Sequence, residues 1–253
     1  MIAPWSTKRV KENKYDEQEF FDEYSKMRRS IGGLPESGEW HEFQKLLPDL
    51  RGKAVLDLGC GYGWHCRYAA EQGARSVVGV DLSEKMLGEA KARTTDPRIT
   101  YLKGAIEEID FPPESFDLII SSLAFHYVES LELVYAALYR MLKSNGDLVF
   151  SVEHPIFTAY GNQDWAYDEK GNKLDWPVDR YFFEGKRKAI FLGQEVIKYH
   201  RTLTTYLDPL LRHGFSIRRV IEPLPPQEML NTVEGMQDEL RRPMMLLVAA
   251  HKD

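Results

Sequence analysis

The stretch VLDLGCGYGWHC, Val55 to Cys66, joins an apolar run to three glycines, Gly59, Gly61 and Gly63, with an aspartate, Asp57, inside the run. The run reads as a buried strand, and WHCRYAAEQG after the glycines reads as a helix closed by Gly73. A strand, a glycine-rich turn and a helix in that order open a parallel α/β sheet, where ligands sit beyond the carboxyl ends of the strands. A carboxylate in a buried strand is costly unless something receives its charge.

Outward from this stretch the pattern repeats. SVVGVD is a second strand, and Ser83 is placed as the N-cap of SEKMLGEAKAR, with Glu84 in its first turn. ITYLKG, FDLIIS and DLVFSV are further strands, and SLELVYAALYRMLKSNG has helical periodicity ending near Gly146. We expect an α/β fold, a Rossmann-like doubly wound sheet with helices on both faces. Residues 1–50 read as helical segments beside or over the site, 51–154 as the ligand-binding core, 155–201 as an inserted aromatic-rich cap, and 202–253 as a helix and the last two strands. Pro209 is expected to kink the helix TLTTYLDPLLRHG or delay its start.

Composition narrows the function. The 253 residues are 43% hydrophobic and 28% charged, enough for a sizeable core. A net charge of −6 disfavours a general attraction to phosphate backbones, so no nucleic-acid partner is expected. The longest apolar runs, such as MMLLVAA from Met244, fall short of the roughly 20 residues that span a bilayer. Charges in the first twenty residues stand where a signal peptide needs an apolar segment, which places the chain in the cytoplasm. The two cysteines, Cys60 and Cys66, fit neither a zinc ribbon nor a disulfide framework, and no metal-ligand cluster stands out.

Three ligand classes suit a glycine-rich first turn. A dinucleotide site wants G-x-G-x-x-G, but Trp64 occupies the place of the third glycine and Asp57 would lie near two phosphates. No G-K-[ST] follows, which removes a P-loop. S-adenosylmethionine reverses the charge argument, because its α-ammonium and sulfonium are both positive. On this reading Asp57 anchors the ammonium, directly or through water, while Gly59, Cys60 and Gly61 carry the backbone beneath the ligand. Asp81, roughly 20 residues on at the end of the second strand, accepts from both ribose hydroxyls, with Leu82 beside it. Ala105, Ile106 and Glu107 meet the adenine, and Ser121 and Ser122 lie under the sulfonium.

These residues, D-x-G-x-G-x-G at 57–63, GVDLS at 79–83, FDLIISSLAFHYV at 116–128 and LKSNG at 142–146, make residues 53–152 resemble the core of class I S-adenosylmethionine-dependent methyltransferases, in the small-molecule branch that includes ubiquinone and menaquinone methyltransferases. The resemblance implies a seven-stranded sheet with an antiparallel last strand. It also implies an N-terminal helix closing the site, with Tyr15 and Tyr24 over the ligand and a cation, Arg28, at the methionyl carboxylate. This chain has Ala105 where the family commonly carries an acidic residue at the adenine, and Glu107 is the candidate to replace it.

The acceptor is less legible. The chain has SSLA where amino-methyltransferases acting on adenine or glutamine carry N-P-P-[YF]. His154, at the end of the fifth strand, His126 and His200 are the candidate bases, and Glu153 is placed to orient a neighbour. Trp165, Tyr167, Trp176, Tyr181 and Phe183 either wall a pocket for a flat or lipophilic small molecule or form a satellite core under the insertion. An RNA or protein methyltransferase and a non-catalytic cofactor-binding module stay open as alternatives, with a nicotinamide-dependent oxidoreductase behind them.

Overall fold

The computed structural model describes residues 13–253. The first twelve residues, on which much of the signal-peptide reading falls, lie outside the described residues. Nine strands follow in chain order: β1 Ala54–Leu58, β2 Ser76–Asp81, β3 Ile99–Lys103, β4 Phe116–Ser122, β5 Leu142–Glu153, β6 Gly185–Phe191, β7 Gln194–His200, β8 Phe215–Ile221 and β9 Met245–Lys252. The helices are α1 Gln18–Ser25, α2 Arg28–Gly32, α3 Trp40–Leu46, α4 Trp64–Glu71, α5 Glu84–Ala92, α6 Leu131–Met141, α7 Pro155–Thr158, α8 Leu203–Arg212 and α9 Gln227–Thr232.

Seven strands form one sheet in the order β3-β2-β1-β4-β5-β9-β8, and β6 pairs with β7 as a separate antiparallel hairpin. Strands β1 to β5 are parallel, and β9 runs antiparallel to both neighbours, β5 and β8. The order reverses between β1 and β4, so a crevice opens at the carboxyl ends of those two strands.

The central strands are apolar on both faces because both faces are covered. Leu56, Leu58, Ile119, Leu148, Phe150 and Val248 face α6 and α8 through Tyr135, Leu138, Tyr206 and Leu210. The alternate positions, Val55, Leu118, Ile120, Val149 and Leu247, face α3, α4 and α5 through Phe43, Cys66, Ala69 and Leu87. Asp57 shares the parity of Val55, and it meets the α4 side: Cys66 Sγ donates to its Oδ2 at 3.2 Å.

Local chemistry sets most boundaries. Ser83 caps α5, its Oγ accepting from Met86 N, and Gly73, at φ 90°, follows the end of α4. Two expectations are corrected. Helix α6 ends at Met141, and LKSNG belongs to β5, where Leu142 pairs with Phe116 across a bulge and Asn145 takes φ 59°. Helix α8 starts at Leu203, capped by Thr202 Oγ1, and runs through Pro209. An interior proline costs about 3 kcal/mol, and burial of Tyr206 and Leu210, at about 1.5–3 kcal/mol each, offsets it.

Candidate active site

A cavity of about 380 Å³ fills the crevice beyond β1 and β4. Its floor is the loop after β1. Gly59 and Gly61 sit there at φ 72° and 52°, a region L-residues rarely adopt. A Cβ on Gly59 would lie 2.4 Å from Ala124 Cβ, so this glycine is required where the loops after β1 and β4 touch. A Cβ on Gly61 would meet nothing within 4 Å, and the backbone there borders the cavity.

Asp81 lines the same wall. Its Oδ2 accepts from Gly61 N at 2.8 Å and its Oδ1 from Ser83 N at 2.9 Å, which fixes the carboxylate in the cavity rim. Burial raises its pKa against the pull of those amides. Leu82, Gly104, Ala105, Ile106 and Glu107 continue the wall, with Ile106–Glu108 forming a short 3-10 helix.

The cavity's other side is built from two pieces distant in sequence. Tyr15, Tyr24, Met27 and Arg29 come from the N-terminal segment, and Lys186, Phe191, Val196, Ile197 and Tyr199 from the β6–β7 hairpin. The two pieces share a small core of Phe20, Ala189 and Val196. Asp16 ties the first piece to α5, its Oδ1 accepting from Ser83 Oγ and Lys85 N, and the Tyr15 and Tyr127 hydroxyls lie 3.2 Å apart.

Residues 56–150 match a family described as a methyltransferase domain. A solved structure from Listeria monocytogenes, assigned as an S-adenosylmethionine dependent methyltransferase, is 56% identical, superposes with a TM-score of 0.83, and covers 87% of this chain and 99% of its own. The chain belongs to the S-adenosylmethionine-dependent methyltransferases. A second such enzyme, from Mesorhizobium loti, is 44% identical with a TM-score of 0.80, covering 87% of this chain and all of its own. Malonyl-[acyl-carrier protein] O-methyltransferase of Enterobacter lignolyticus is 38% identical over 125 residues, and this chain spans about half of its length.

In this methyltransferase several expected residues stand away from the cavity. Ser121 is fully buried, its Oγ donating to Leu58 O, because neighbours on a strand face opposite sides and only Ser122 reaches the cavity. Cys60 is buried and does not line the cavity. Arg28 pairs with Glu36 outside it. A continuous helix from Phe20 would align Arg28 with Tyr24, but the chain breaks at Lys26–Met27, Met27 turns extended, and Arg29 comes to the wall, held by Glu39 at 3.0 Å.

Of the three histidines only His126 lines the cavity. It is buried, and burial above all lowers its pKa to about 4, while Glu153 N donates to its Nδ1 at 3.4 Å. His154 is turned away: its Nδ1 accepts from Ile156 N, capping α7, and its Nε2 lies 2.9 Å from Glu222. His200 spends both ring nitrogens on Thr158 Oγ1 at 2.7 Å and Tyr181 O at 2.9 Å. Nor do the five insertion rings singled out from the sequence wall the cavity. Trp165, Trp176 and Phe157 gather around Arg242, whose guanidinium sits 4.3 Å over Trp176, while Phe183 and Tyr167 are exposed and Tyr181 packs on His200.

Sequence reasoning missed Arg29, Glu153's partner Lys198, and Leu123, which lines the cavity at φ 53°. A bulky residue in that region is strained by about 1–2 kcal/mol. Nothing in SSLA announces it.

Asp57 lies one layer beneath the cavity, about 1% exposed, with Oδ1 unpartnered. Burial first of all pushes its pKa up to about 7. Between about pH 4 and 7 the unfolded chain ionises this group while the folded chain keeps it protonated, so the folded state binds more protons and stability falls as pH rises. Urea unfolding at successive pH values should show this slope, at most about 1.4 kcal/mol per pH unit, flattened in Asp57→Asn. Parallel slopes in the two proteins would mean that Asp57 is ionised throughout.

Proposed function

We propose that this methyltransferase acts on a small organic acceptor, bound in the same cavity as the cofactor and facing Asp81 from the His126–Glu153 side. The observation that carries this reading is the enclosure of the cavity by the N-terminal segment on one side and the β6–β7 hairpin on the other. The hairpin is the part of the 155–201 insertion that serves as a cap, while residues 51–154 hold the cofactor.

The residues present fit S-adenosylmethionine. The Asp81 carboxylate, held by two amides, is a ready acceptor for vicinal ribose hydroxyls, and Ile106 and Glu107 suit an adenine face and edge. Gly59 and Gly61 keep the floor clear, and the unpartnered Asp57 Oδ1 below it is an acceptor that adds a negative field favouring an ammonium once the carboxyl ionises. Arg29 is the cation for the methionyl carboxylate, with Tyr15 and Tyr24 above. When bound, the cofactor supplies a methyl group activated by a sulfonium. The chain's own contribution is alignment and exclusion of water, with Ser122, Leu123 and His126 around the transfer position.

Calorimetric titration with S-adenosylmethionine, S-adenosylhomocysteine and NAD tests the reading: the first two should bind and NAD should not. Arg29→Ala should weaken cofactor binding about tenfold, while Arg28→Ala should leave it unchanged. The reverse ranking would return the carboxylate contact to Arg28.

A further inference from the structure

We propose that the acceptor is an amine, taken up as the free base, and that the Glu153 carboxylate, held by Lys198 and Gln163, is the specificity-determining group that receives its N–H hydrogens. The proposal rests on the reading of the cavity as a joint cofactor and acceptor site.

Glu153 is the last residue of β5 and lines the cavity. Lys198 Nζ donates to its Oε1 at 2.5 Å and Gln163 Nε2 to its Oε2 at 2.6 Å, while Lys198 Nζ also reaches Gln163 Oε1 at 2.9 Å. Lys198 is 2% exposed, so the pair is built into the structure rather than adventitious. Each carboxylate oxygen keeps a second lone pair, and the cavity is offered an acceptor whose net charge Lys198 cancels. Such an acceptor binds N–H without forcing the amine into its protonated, unreactive form.

Competing acceptors fit worse. A carboxylate, the acceptor type in the name of the malonyl-carrier relative, needs donors and a cation. Among the described residues, the cations lining the cavity are Arg29, paired with Glu39 and already assigned to the methionyl carboxylate, Lys14, bound to Glu17, and Lys186, exposed on β6. An alcohol or phenol would suit the lone pairs but must lose its proton to become an ether, which calls for a base. With Glu153 N donating to Nδ1, the neutral His126 ring carries its proton on Nε2. Burial pushes the Glu153 carboxyl up, but His126, Lys198 and the two hydrogen bonds outweigh it and hold the group below the ordinary value, which makes it a weak base.

An amine needs no base before transfer. The nitrogen lone pair forms the N–CH3 bond as the C–S bond breaks and its electron pair goes to sulfur, leaving a neutral thioether. The positive charge passes to nitrogen as an ammonium, which keeps its protons until water takes one. Glu153 receives that charge as it develops, and the aromatic side chains of Tyr15, Tyr127 and Tyr199 line the same cavity.

Three probes of matched shape, benzylamine, benzyl alcohol and benzoate, titrated into the protein saturated with S-adenosylhomocysteine, read binding without turnover. Transfer of labelled methyl to panels of amines, phenols and carboxylic acids reads the reaction. We expect benzylamine to bind at least tenfold more tightly than the other two, and label to enter amines. Glu153→Gln should weaken benzylamine at least tenfold with S-adenosylhomocysteine affinity within twofold of wild type. Because that variant strands Lys198, the charge-balanced Glu153→Gln/Lys198→Met protein is the second test and should show the same loss. Equal or tighter binding of benzyl alcohol or benzoate, label confined to phenols or acids, or an amine panel without label would overturn the proposal. Failure of S-adenosylhomocysteine itself to bind would strike the cofactor reading instead.

Discussion

Replacing Lys198 with methionine should lower the unfolding free energy by about 3–5 kcal/mol, more than any other single change considered for this chain. The side chains of Lys198 and Glu153 are 3% and 14% exposed and meet at 2.5 Å. Removing the ammonium leaves a largely buried carboxylate with one neutral side-chain donor, Gln163. Removing both charges strands neither, so Glu153→Gln/Lys198→Met should recover most of the loss. A urea double-mutant cycle measures the coupling, and a single-variant loss under about 1 kcal/mol would show that the pair is solvated and worth no more than a surface bridge.

Asp81→Ala should weaken S-adenosylmethionine binding by about 10- to 100-fold, or about 1.4–2.8 kcal/mol. A carboxylate accepting from two hydroxyls makes charge-assisted bonds worth about 1.5–3 kcal/mol each before desolvation is counted. The substitution also removes the partner of Gly61 N and Ser83 N, so melting will shift and affinity must be measured directly by calorimetry. Asp81→Asn, which keeps an acceptor oxygen but loses the charge, should fall between the two proteins. An unchanged dissociation constant in Asp81→Ala would remove this residue from the ribose.

The frame around the cavity was legible because its signals are local. A glycine-rich turn, an acid at a strand end and a serine cap are properties of a few consecutive residues: Ser83 caps α5 as read, and Gly59 and Asp81 line the cavity. The rest depends on facing directions, which short spacings do not settle. His154 follows β5 directly, yet its ring turns to cap α7, while the preceding Glu153 takes the cavity wall. Arg28 and Arg29 exchanged places through a helix break that periodicity alone conceals. One clue went unused in QEVIKYH: Val196, Lys198 and His200 share the buried register of β7, and a lysine in that register needs a carboxylate partner. Of the two readings of the aromatic insertion, its tryptophans follow the satellite core: ring density marks burial without saying against what, and Arg242 from a distant segment packs over them.

The position of β9 bears on how the chain comes together during synthesis. Val149 of β5 pairs with Ala249, and Ile217 of β8 pairs with Ala250, so the strand that joins the two emerges after both. Until it leaves the ribosome, β5 presents an open hydrogen-bonding edge and β8 has no sheet to join, even though β1 to β5 have already emerged. A nascent chain of this kind holds a parallel half-sheet with a sticky edge, and its risk of pairing with a neighbour ends only when β9 threads into the gap.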